Sequence, residues 1–190
     1  QYPALPAGRV DHLRTGEAAM NLESLRFLYR YNTWATDRVL DSLEAAGPAV
    51  YVAPGCSGHG TVQETLAHLF SVQRSWIGWL DGSLSLVEAL QPHVVAADVP
   101  TVAAAREKWA EIARQTDAYL RSLMEAALRE GVPWGLPGGL GGITPRWQFL
   151  LHLADHGTHT RGQIVAAIRR AGHPPANVGV LGLILSELMQ

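Results

Sequence analysis

The chain has 190 residues, 47% hydrophobic and 17% charged, with a formal charge of −2, enough for one domain with a sizeable core. The near-neutral balance offers no general attraction to nucleic acid or anionic membrane, and Lys108 is the single lysine. Cys56 is the single cysteine, which excludes an intrachain disulfide and a Cys-rich zinc module, so a reducing cytoplasm is the expected setting. No apolar run reaches the roughly 20 residues of a membrane span. The stretch from Val178 to Leu185 is too short and holds two glycines.

Residues 1–19 carry Pro3, Pro6, Gly8 and Gly16, mixed charge and no apolar segment of a secretory signal. They are expected to be an upstream extension, with one helical domain over residues 20–190 starting at Met20. The first helix is expected from Asn21 to Ala46. Leu25, Leu28, Ala35, Val39 and Leu43 recur there at three- and four-residue spacing, and Gly47-Pro48 ends the helix. Asn32 falls within that stripe, where a polar side chain is expected to bond between helices. A Gly/Pro loop from Pro54 to Gly60 precedes the second helix. Thr61 and Glu64 form a capping box, and Leu66, Leu69, Val72, Trp76, Trp79 and Leu80 carry the helix to Asp81-Gly82. His68 stands beside this stripe.

A linker of about 18 residues without strong period follows. The third helix is expected from Thr101 to Glu130, on Val102, Ala105, Trp109, Ile112, Tyr119, Leu123 and Ala127, with Gly131 in the αL position after it. Residues 131–142, rich in glycine and proline, predict an irregular loop or a poor hairpin. The fourth helix is expected to open with Thr144 as N-cap and Pro145 at the first helical position, and to end near Ala171. A short fifth helix is expected from Val180 to Met189. Four long helices without a convincing strand predict an all-α four-helix bundle with a short C-terminal helix.

The fourth helix holds three of the eight histidines within eight residues: His152, His156 and His159. At 100° per residue His152, His159 and Gln163 lie about 40°, 60° and 20° from His156, so the imidazoles share one side. Most of the helix circumference is apolar, so the stripe is expected to face the bundle interior, and the remaining apolar surface to meet a fifth helix or a second copy of the chain. Imidazole is the commonest metal ligand, and a bundle builds metal sites from facing helices, which brings in His68. The other reading is a set of half-buried histidines bonded to carbonyls, water or one another. Arg161 and Gln163 are read as a surface ion pair and an interhelical hydrogen bond. The tryptophans are read as core and interface filling, and His59 and His173 as solvated loop residues, His59 being close enough in sequence to the second helix to stand at the mouth of a pocket. Cys56 has no identified cationic neighbour to activate its thiol. No Ser/His/Asp order, phosphate-cradling loop or nucleic-acid motif is present.

The run His152-Leu153-Ala154-Asp155-His156-Gly157-Thr158-His159-Thr160-Arg161-Gly162-Gln163 resembles the signature His-hydrophobic-x-Asn-His-x-x-x-His-Arg-Gly-Gln of the DinB-like (damage-inducible, YfiT-related) family of metal-binding four-helix bundles. Tyr31-Asn32-Thr33-Trp34-Ala35-Thr36 resembles the family's first-helix motif. Gly60 to Leu69 resembles the start of its second helix, and Ala171-Gly172-His173-Pro174-Pro175 its tail. The resemblance covers residues 20 to 185 in order. It implies a divalent cation, zinc or nickel, held by three histidines. It also implies a metal-dependent transferase or hydrolase acting on a small molecule, with a low-molecular-weight thiol as a cofactor, and a homodimer tied to stress response.

Carried over by position, the three ligands fall on His68, His156 and Thr160. A threonine hydroxyl is a poor ligand for zinc or nickel. His159, one residue earlier, is taken as the third candidate ligand; His152, one turn before His156, is the other; a two-histidine remnant is the remaining arrangement. The functional alternatives are therefore a metal-dependent enzyme and a non-catalytic, stress-associated binding bundle with a degenerate site.

Overall fold

The computed structural model describes residues 20–56, 59–136 and 138–189. The expected extension over residues 1–19 lies outside the described residues. Four long helices, α1 (Leu22–Ala46), α3 (Val62–Leu80), α5 (Val102–Ser122) and α6 (Arg146–Arg170), form a bundle. Each packs on two neighbours: α6 lies between α1 and α3, and α5 lies opposite α6. Short helices α2 (Pro48–Tyr51) and α4 (Leu86–Ala89) follow α1 and α3, and α7 (Val180–Leu188) closes the chain against α1.

Local chemistry sets the ends. The Asn21 side chain accepts from Ser24 N at 2.8 Å at the start of α1. Gly47, at φ +87°, ends it by turning its N–H onto the Leu43 carbonyl. The Thr61–Glu64 capping box at α3 is formed as expected, with Glu64 Oε2 accepting from Thr61 N at 2.7 Å.

Three expectations are corrected. The third helix stops at Ser122, because Leu123 turns extended, and a 3₁₀ segment covers Glu125–Arg129. The Gly/Pro stretch is a regular antiparallel hairpin, β3 (Gly131–Gly135) on β4 (Gly141–Pro145), pairing Gly131 with Pro145 and Gly135 with Gly141. Thr144 is therefore a strand residue: its hydroxyl accepts from Trp134 Nε1 at 2.9 Å, and Pro145 takes the N-cap of α6. A smaller hairpin, β1 (Pro54–Cys56) with β2 (Gly60–Thr61), leads into α3.

The core has two apolar ends. One gathers Val39, Leu43, Leu66, Phe70, Trp109 and Ile164; the other gathers Leu25, Tyr29, Ile77, Leu120, Leu150 and Leu153. α3 and α6 are thus antiparallel. Between these ends each long helix contributes buried polar residues: Asn32 and Thr36, Gln73 and Ser75, Thr116, and Thr160 and Arg161. Gln73 Nε2 donates to Thr116 Oγ1 at 3.1 Å, which couples α3 to α5 across this waist.

Arg161 couples α6 to α1. The expected surface ion pair is corrected: Arg161 is 1% exposed, and none of the carboxylates among the described residues pairs with it. Its Nη1 donates to Asn32 Oδ1, to Thr36 Oγ1 at 3.3 Å and to the Asn32 carbonyl at 3.4 Å. Its Nη2 donates to Thr158 Oγ1 at 3.2 Å, and the guanidinium lies 5.4 Å from the Tyr31 ring centroid. Asn32 makes the interhelical bond expected of it.

Gly157 makes room for this group. A Cβ there would collide with Asn32 Oδ1 and stand 2.9 Å from Arg161 Nη1. A glycine-to-alanine change inside a helix ordinarily stabilises by about 1 kcal/mol. Gly157→Ala is expected to do the opposite and destabilise by about 1–3 kcal/mol through overpacking, read from the midpoint of urea unfolding.

Candidate metal centre

His68 and His156 meet across the α3–α6 interface. Their Nε2 atoms are 3.0 Å apart, a hydrogen bond in which one imidazole donates and the other accepts. The ring planes cross at 63°. Both side chains are half-buried. Burial pulls the pKa of His156 from the ordinary 6.5 down to about 4, helped by the neighbouring His68, His152, His159 and His59. Burial, and then His59, also lowers that of His68. Both imidazoles are therefore neutral at physiological pH and keep lone pairs for a Lewis acid.

The remaining histidines take different positions. His159 is exposed, and its Nε2 accepts from the Gln163 side-chain amide at 3.0 Å, on its own helix. Gln163 thus bonds within α6 where an interhelical bond was expected. His152 is exposed, 6.3 Å from the His156 ring by centroid, and meets the edge of Trp76 at 5.7 Å. The structure brings His68 and His156 together, sets His152 against Trp76 of α3 and leaves His159 bonded on its own helix, so His156 is the one member of the stripe that meets a histidine of the neighbouring helix. His59, expected as a solvated loop residue near a pocket mouth, is exposed but stacks on His68 with centroids 3.8 Å apart and planes 21° apart. Its place at the end of the loop before α3 was the one signal for this contact.

Thr160 is 2% exposed, and its hydroxyl donates to the His156 carbonyl at 2.8 Å, one turn back on the same helix. Its proton is thus committed to α6 itself. Among the described residues no three His, Cys, Asp or Glu side chains are grouped as a metal site. The donor chemistry nonetheless suits a divalent metal in part. Two imidazole nitrogens bound to one cation at about 2.1 Å stand about 3.0 to 3.4 Å apart for bond angles from perpendicular to tetrahedral, and the 3.0 Å separation here is at the short end of that range.

A cavity of about 440 Å³ runs along α3 from His68, walled by Ala67, Val72, Trp76, Leu90 and Pro92. A second, of about 350 Å³, opens beside His152 under Trp134, Leu136 and Phe149. Trp76 lines both. Of the two neutral nitrogen donors, His68 therefore stands in the wall of a mainly apolar cleft of small-molecule size, with His156 behind it across the α3–α6 interface. No helix among the described residues is long and apolar enough to cross a membrane.

Known proteins resemble the chain over most of its length. Protein DinB of Bacillus subtilis (strain 168) is 26% identical over 156 residues, covering 78% of this chain and 87% of that protein. A crystal structure of a conserved protein from Enterococcus faecalis covers 80% of this chain and 97% of its own, with a TM-score of 0.49 and 16% identity. The family model described as DinB family matches residues 20–187, the whole bundle and its C-terminal helix, and the chain belongs to that family.

Proposed function

We propose that this DinB-family chain holds a divalent metal ion, zinc or nickel, between α3 and α6, with His68 and His156 as ligands. We further propose that the site serves transfer or hydrolysis of a small molecule lying in the cleft along α3. The observation that carries this reading is the approach of two half-buried, neutral imidazoles to 3.0 Å with no other polar partner for either Nε2 among the described residues. A bound divalent cation supplies Lewis-acid polarisation of a substrate oxygen or of a low-molecular-weight thiol. The chain's own residues hold His68 and His156 at fixed separation on two packed helices, and Trp76 and Leu90 keep one side of the cleft apolar.

Thr160 favours a second reading, a non-catalytic binding bundle of the stress-associated kind with a degenerate site, because its hydroxyl is turned to the backbone. Metal content separates the two. Tag-free protein is expected to carry or take up close to one equivalent of zinc or nickel by mass spectrometry. His68→Ala and His156→Ala are each expected to weaken uptake about a hundredfold. Thr160→His, which adds an imidazole one turn from His156, is expected to tighten it about tenfold or more. Metal at trace levels in the parent and all variants would leave the second reading.

Metal competes with protons for these nitrogens. With the His156 pKa at about 4 and that of His68 below the ordinary 6.5, affinity is expected to begin falling at a lower pH than it would for two ordinary imidazoles and to be lost as pH approaches 4. Calorimetric titration across that range reads it; a steep loss beginning at 6.5 would mean ordinary imidazoles.

We also propose a homodimer, the expectation raised by the apolar fourth helix. The structure adds a second support, since α7 leaves Leu181, Leu185 and Leu188 exposed. Sedimentation velocity at micromolar concentration is expected to give the dimer mass; a monomer alone would contradict it.

A further inference from the structure

We propose that His59, from the loop between β1 and β2, is the third protein ligand of the cation held by His68 and His156, in the place that Thr160 leaves. This rests on the metal reading above and deepens it.

Direction is the first support. α3 and α6 are antiparallel, so the interface between them has a Thr160 end, towards the start of α3, and a Trp76 end. His152 stands one turn from His156 towards the Trp76 end, with its ring against the Trp76 edge. His59 enters from the start of α3, and β1 packs on α6. It therefore reaches His68 from the Thr160 end of the interface.

Proximity is the second. His59 and His68 have centroids 3.8 Å apart, and His68 Nε2 is 3.0 Å from His156 Nε2, so three imidazoles from a loop and two helices form one contiguous row. His159 is not in that row, since its Nε2 is taken by Gln163.

Freedom of movement is the third. In the stack His59 presents its ring face to His68, so ligation requires a rotation about its side-chain torsions. His59 is exposed, and an exposed side chain changes rotamer on the picosecond to nanosecond scale. Gly60, at φ +86°, turns the chain directly into the Thr61–Glu64 capping box, which anchors the backbone next to His59 while its side chain remains free.

The test is calorimetric titration of Zn²⁺ and Ni²⁺ into chelator-stripped, tag-free protein, comparing the parent chain with His59→Ala, His59→Phe and His159→Ala. His59→Phe keeps an aromatic ring for stacking on His68 but has no nitrogen. Circular dichroism confirms the fold of each variant. Both His59 variants are expected to bind at least about tenfold more weakly, and His159→Ala to bind like the parent. Visible absorption of the Co²⁺ forms is expected to change in both His59 variants as one nitrogen donor is lost.

Parent-like binding by His59→Ala or His59→Phe overturns the assignment while leaving His68 and His156 in place. A loss confined to His159→Ala moves the third ligand to that residue. A parent chain that binds neither ion overturns the metal reading and this assignment with it.

Discussion

One guanidinium sets the rotation of α6 in the bundle. Arg161 is buried at the waist with α1 as its main partner, through Asn32 and Thr36, which lie one turn apart on one face of that helix. His156 precedes Arg161 by five residues, about 140° around the helix. With Arg161 fixed against α1, His156 is directed towards α3, where His68 waits. A buried cation without a counter-ion is costly, and burial pulls the Arg161 pKa down. The cost is offset by several hydrogen bonds and the Tyr31 ring, and it makes the α1–α6 register specific, because an apolar side chain at 161 would leave Asn32 Oδ1 without its donor. Gly157 belongs to the same device: it is the absence of a side chain that lets Asn32 and Arg161 meet.

The polar waist also explains why a pair of half-buried imidazoles can exist inside a bundle. Apolar clusters at both ends supply the burial that drives folding, and the middle is left to groups that pair with one another. Gln73 pairs with Thr116, and the Nη atoms of Arg161 pair with Asn32, Thr36 and Thr158, while its Nε has no hydrogen-bond partner among the described residues. His68 and His156 satisfy one another through a single hydrogen bond between neutral rings, which a cation can replace without moving either helix far. Ser75 Oγ, at the same level and lining the α3 cleft, has no hydrogen-bond partner among the described residues. The waist is thus packed on its α1 side and chemically open on its α3 side.

Local signals in the sequence carried most of the fold. The capping box at Thr61 and Glu64, the Gly47 stop and the apolar stripes of α1 and α3 depend on residues within a few positions of one another, so they read directly. The β3–β4 hairpin was not clear, because its strands contain four glycines and two prolines and their pairing is secured by a Trp134–Thr144 bond ten residues apart. Arg161 was misplaced at the surface because arginine is ordinarily solvated, and only its partners 125 and 129 residues away reveal the buried site. The His68–His156 pair, 88 residues apart, was reached through helical periodicity joined to family resemblance. Ring stacking of His59 on His68 follows from how the loop folds back, which no spacing rule encodes.

The central claim is that the nitrogens of His68 and His156 share one cation. Crystals grown with Zn²⁺ or Ni²⁺, with data collected at the absorption edge of the metal, test it most directly. The account predicts a single anomalous peak about 2.1 Å from both Nε2 atoms. An anomalous map without a peak there, with the two imidazoles still hydrogen-bonded to each other in the presence of the metal, would contradict it.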